Sequence, residues 1–141
     1  MTQAAVLETL AAPAPAAPSK ARLWTGRVLS GIGVAFMLVD GAFKFTTHPA
    51  VEDANAHLGW SMQLAPYLGV IALACTLLYV IRRTRVTGAV LMTGYLGGAV
   101  ATHVRVEGPA FSIVFPFIVG AFFWGGLLLR DERVRAVVMG R

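Results

Sequence analysis

Apolar residues gather along this chain into four long runs, residues 28–45, 64–81, 86–104 and 111–129, and most of the charge falls in the short stretches between them. Each run is close to the roughly 20 residues that an α-helix needs to cross a hydrocarbon layer. The pattern predicts an all-α fold, a four-helix transmembrane bundle in one domain. Proline refines the boundaries. Pro66 suits the first turn of the second helix, where a missing N–H matters least, and Pro49 and Pro109 punctuate the connecting loops. Pro116 falls inside the fourth run and predicts a kink there, or a later start to that helix. Residues 1–22, interrupted by Pro13, Pro15 and Pro18, read as a flexible cytoplasmic tail. Residues 23–135 form the membrane domain and residues 136–141 a cytoplasmic C-terminal tail. A signal peptide fits the N-terminus less well, because Lys20, Arg22 and Arg27 follow the alanine-rich stretch instead of preceding it.

Composition makes the membrane reading firmer. With 57% hydrophobic and only 13% charged residues, a soluble globule of 141 residues would lack the polar surface to clothe itself. Membrane lipids are therefore the first expected partner. The net charge of +5 would suit nucleic acid, yet the basic residues sit in short clusters beside apolar runs, where lipid and topology account for them. No nucleic-acid partner is expected. Lys20, Arg22 and Arg27 precede the first run, Arg82, Arg83 and Arg85 lie between the second and third, and Arg130, Arg133, Arg135 and Arg141 follow the fourth. With four crossings these ten residues share one side, which the positive-inside rule makes cytoplasmic, as expected of a multi-pass protein of the bacterial inner membrane with both termini inside. The opposite side receives His48, Glu52, Asp53, His57, Trp60 and the turn around Glu107.

Small residues four apart predict close helix contacts, within the chain or in a homo-oligomer: Gly31 with Ala35, Gly94 with Gly98, Gly97 with Ala101, and Ala121 with Gly125. Trp24 and Trp60 are expected as anchors at opposite interfaces. Cys75 is the single cysteine, so the chain cannot supply a two-thiol centre alone, and its expected role is that of a small buried apolar residue.

Charge inside the apolar runs marks the candidate chemistry. Asp40 and Lys44 stand at i and i+4 near the outer end of the first helix, in the favourable order for an ion pair. The third helix ends in Thr102, His103 and Arg105, and Tyr95, Gly98, Thr102 and Arg105 share a stripe. Both helices run outward, so Asp40, Lys44, Tyr95, Thr102, His103 and Arg105 are expected to converge as a ligand-binding cluster. One reading is a structural plug in which Asp40 pairs with Arg105 or Lys44. The other is a small pocket in which Asp40 holds the imidazole of His103 or a cation, while Arg105 or Lys44 faces an anionic or carbonyl oxygen. His48, His57 and His103 lack metal-binding spacing, and no metal site is expected.

The stretch Asp40-Gly41-Ala42-Phe43-Lys44-Phe45, the helix Thr93-Gly94-Tyr95-Leu96-Gly97-Gly98-Ala99-Val100-Ala101-Thr102-His103-Val104-Arg105, and Trp124-Gly125-Gly126 with Leu129-Arg130-Asp131 resemble the DoxX-like family of small bacterial membrane proteins. The likeness spans roughly residues 27–135. It implies a compact four-helix membrane bundle and an association with redox complexes, since the family takes its name from subunits linked to a thiosulfate:quinone oxidoreductase. The leading functional expectation is an accessory subunit that binds a small lipophilic molecule, with quinone as the candidate cofactor and a redox protein as candidate partner. An enzyme reading makes His103 the general acid or base and Asp40 its orienting partner. A small oligomeric transporter is the third reading, with no polar trail toward the cytoplasmic side to support it.

Overall fold

The described residues of the computed structural model, 18–140, contain helices and turns and no strand. Ser19 opens the first of them. Its hydroxyl accepts the Arg22 N–H at 3.3 Å, satisfying one of the free donors of a helix start, and α1 (Lys20–Phe43) follows. Residues 1–17 of the expected tail lie outside the described residues, while Lys20, Ala21 and Arg22 are already helical. After α1 come α2 (Pro49–His57), a 3₁₀ turn (Met62–Leu64), α3 (Ala65–Val80), α4 (Arg85–Arg105), α5 (Ala110–Arg130) and α6 (Glu132–Met139).

Each of the four apolar runs has become a long helix, so the all-α expectation holds. The helix count is larger than four, because α2 and α6 occupy stretches read as a loop and as the approach to a tail. Both are short and carry no buried residue, so no apolar run announces them. Their caps do: Pro49 sits at the start of α2 behind His48, whose Nδ1 accepts the Ala50 N–H at 3.2 Å, and Asp131 Oδ1 accepts the N–H groups of Arg133 and Val134 at the start of α6. α5 runs through Pro116, and the ring removes the N–H that would bond the Ser112 carbonyl.

Three segments, Lys20–Phe43, Met62–Val80 and Ala110–Arg130, are long and apolar enough to cross a membrane. α4 falls short of that measure because glycines, threonines, Tyr95 and His103 dilute its aliphatic residues. Within the three apolar spans only 28%, 33% and 28% of positions are buried inside the protein, so most of their apolar side chains face outward. Trp24, Leu38, Val39, Leu77 and Phe117 are among them. That surface belongs in lipid, and the chain is a membrane protein.

The long helices pack as a ring in which α1 touches α3 and α5, and α4 touches α3 and α5. Met37, Tyr79, Met92, Val119, Phe123 and Leu127 fill its centre, with Tyr79 and Phe123 edge to face at 4.6 Å. Close approach depends on glycines other than the expected ones. A Cβ on Gly88 would strike the Tyr79 backbone, one on Gly126 would strike Ser30 Oγ, and one on Gly26 would lie 3.0 Å from the Gly126 carbonyl. By contrast, Gly31, Gly94, Gly97 and Gly98 have nothing within 4 Å of that position. A four-residue spacing reveals a small stripe but not the face it occupies. Arg22 joins the first turn of α1 to α6 by donating from Nη1 to Glu132 Oε1 at 3.0 Å.

Candidate functional site

Far from the Arg22 end, α1, α3 and α4 diverge around a cavity of about 780 Å³, and α2 lies across it. α1 contributes Phe36, Val39, Asp40, Phe43 and Lys44 to the wall. Lys44 Nζ donates to Asp40 Oδ2 at 2.6 Å, as the i, i+4 spacing predicts. Both side chains are part-buried, so the pair is half-desolvated while remaining in contact with the cavity.

α4 forms the opposite wall with Gly94, Tyr95, Gly98, Ala99, Thr102 and His103. The open space beside Gly94 and Gly98 is the cavity itself: side chains there would fill it. Thr102 Oγ1 donates back to the Gly98 carbonyl at 2.8 Å, a common arrangement for threonine within a helix, and this occupies its proton. The end of α4 is fixed by a Schellman turn. Gly108 N–H bonds the His103 carbonyl at 2.9 Å, Glu107 N–H bonds that of Val104 at 3.1 Å, and Glu107 takes the left-handed conformation at φ 52°. This turn holds the backbone that carries His103.

Five of the six expected residues, Asp40, Lys44, Tyr95, Thr102 and His103, thus line one space. Arg105 does not. Its Nη2 donates to the Leu58 carbonyl at 2.6 Å, at the C-terminal cap of α2, and its guanidinium reaches Gly59, which turns with φ 68°. Asp40 is bonded to Lys44 and not to Arg105 or His103. An orienting Asp40–His103 contact of the kind an acid–base pair uses is replaced by the Asp40–Lys44 pair. A cavity, and not direct closure of side chains on one another, separates α1 from the polar face of α4.

Sequence reasoning missed the roof. Ala50, Val51, Ala54, Asn55 and Leu58 of α2 and its cap, with Trp60 just beyond, line the cavity from above. Asn55 Nδ2 steadies this segment through the Val51 carbonyl at 2.9 Å and Met62 Sδ at 3.4 Å. Trp60, expected as an interfacial anchor, lines the cavity, whereas Trp24 is 63% exposed with Arg27 against its ring. The Pro49 start was the one available signal for α2. Among the described residues no group of three or more His, Cys, Asp or Glu side chains is placed to hold a metal ion.

Chemically, the chamber is mostly apolar, with an ion pair, a phenol and an imidazole at its walls. Its volume falls within the range of about 300–1,000 Å³ typical of small-molecule sites, and that lining suits an apolar body with a polar head. The family model described as the DoxX-like family matches residues 28–126, which include the whole cavity wall. No curated protein and no solved structure matches the chain.

Proposed function

This chain belongs to the DoxX-like family, and we propose that it is a four-span membrane protein that binds a small lipophilic molecule with a hydrogen-bonding head, a quinone being the first class to test. The observation that carries the reading is the chamber of about 780 Å³ with the Asp40–Lys44 pair, Tyr95 and His103 at its walls. Phe36, Phe43 and Trp60 offer aromatic surface to an apolar ring. Lys44, Tyr95 and His103 offer donors to carbonyl or hydroxyl oxygens. Service as an accessory subunit to a separate redox protein rests on the family resemblance alone. In this reading α4 crosses as the fourth span, the clustered basic residues face the cytoplasm and both termini lie inside.

The test is to purify the protein in mild detergent, extract its bound lipids and identify them by mass spectrometry. A single lipophilic species enriched over an unrelated membrane protein is expected. Gly98→Leu should expel it, because the new side chain enters open space, while the thermal unfolding profile stays near that of the parent. Asp40→Ala should weaken retention as well. Equal retention by Gly98→Leu, or no enrichment at all, would overturn the proposal.

A further inference from the structure

At the opposite end of the bundle lies a second, smaller cavity of about 240 Å³, lined by Arg27, Ser30, Gly31, Val34, Tyr79, Val80, Arg85 and Arg130. Three arginines and no carboxylate are among the residues that line it. Among the described residues, Asp131 caps α6, although its charge also reaches Arg85, and Glu132 pairs with Arg22. Arg130 is held rigidly for a surface cation. Its Nε donates to the Gly126 carbonyl at 2.9 Å, and its Nη2 donates to Ser30 Oγ at 2.7 Å and to Tyr79 Oη at 3.2 Å. Ser30 and Tyr79 are themselves buried, at 5% and 1% exposure, and the Tyr79 O–H donates a hydrogen bond to the Phe123 carbonyl at 2.8 Å. This chain of bonds from the core fixes the position of a positive charge that has no salt-bridge partner among the described residues.

Arg85 strengthens the case. Its Nε is buried and makes no hydrogen bond, an arrangement that leaves a charged donor without an acceptor. Arg85 shares this wall with Arg130, so two like charges stand close together. An anion with several oxygens would relieve both penalties at once. At about 240 Å³ the space is below the usual size of a site for a whole lipophilic molecule, yet ample for an ionic head.

We propose that the Arg27, Arg85 and Arg130 cavity is a binding site for an anionic phosphate group, carried either by a phospholipid head or by a soluble phosphate. Arg85 supplies a forked donor that matches phosphate oxygens, Arg130 has its Nη1 donors left over, and Arg27, at the rim, adds charge. Placed at the basic end of a membrane bundle, such a pocket is where anionic heads collect. The proposal is independent of the ligand assigned to the larger chamber.

The full chain in non-ionic detergent would be titrated, at constant ionic strength, with phosphatidylglycerol, with phosphatidylcholine and with inorganic phosphate, reading the thermal midpoint. A saturable rise is expected with an anionic phosphate and none with phosphatidylcholine. A rise with phosphatidylglycerol alone assigns the lipid source, and a rise with inorganic phosphate the soluble one. Arg85→Gln breaks no side-chain hydrogen bond among the described residues, and it should shift half-saturation upward by about tenfold. Arg27→Gln provides a second variant with an exposed side chain, and native mass spectrometry of the parent should show one retained phospholipid in the lipid case. No saturable rise in the parent, or the same half-saturation in both variants as in the parent, would overturn the proposal.

Discussion

Glu107 shows how one side chain sits against its own backbone. The Schellman turn after α4 needs a left-handed residue, and glycine adopts that conformation without the Cβ clash that Glu107 meets. Glu107→Gly should therefore stabilise the protein by about 1 kcal/mol, read as a raised midpoint of thermal unfolding. The Asp40–Lys44 pair was legible from spacing, because both partners lie on one helix and the separation of four residues fixes their distance. The destination of Arg105 was not legible. It depends on where the residues after α2 fold back, and the sequence offers no local rule that puts the Leu58 carbonyl beside α4. Ser30, Tyr79 and Arg130 escaped for a similar reason: they come from three helices, and only packing brings them within hydrogen-bond reach.

Between elements, backbone proximity decides which glycines matter. At Gly88 the obstacle to a Cβ is the Tyr79 main chain, which cannot rotate away as a side chain can. Gly88→Ala should force α3 and α4 apart and destabilise by about 1–3 kcal/mol. Gly97→Ala, which meets open space, should be neutral or slightly stabilising. Comparing the two midpoints in the same detergent checks the assignment, and equal losses would contradict it. Hydropathy revealed the long helices because about twenty apolar residues leave a strong signature. It revealed neither α2 nor α6, since each is short, exposed and defined chiefly by its cap. The element that roofs the chamber was thus the one the sequence concealed.

For the molecule as a whole, the end that carries Arg22, Arg27, Arg85 and Arg130 is chemically distinct from the end that carries Asp40 and His103, and orientation is testable from that contrast. Cys75 is buried, so Cys75→Ser provides a cysteine-free background with little surface change. In it, His57→Cys should react with a membrane-impermeant thiol reagent added to whole cells, while Arg83→Cys should react only after the membrane is opened. The reverse pattern would invert the topology. The four long helices were legible because apolar runs mark them, whereas the chamber depends on how α1, α3 and α4 pack together. Finally, the Arg105 bond to the Leu58 carbonyl ties the segment that roofs the chamber to the end of α4. It is exposed and single, so in the proposed lipophile complex its loss should affect the lifetime of binding more than its chemistry. Arg105→Ala should shorten the residence time of a bound lipophile in exchange measurements while leaving its identity the same, making this contact a timer on exit and not a determinant of choice.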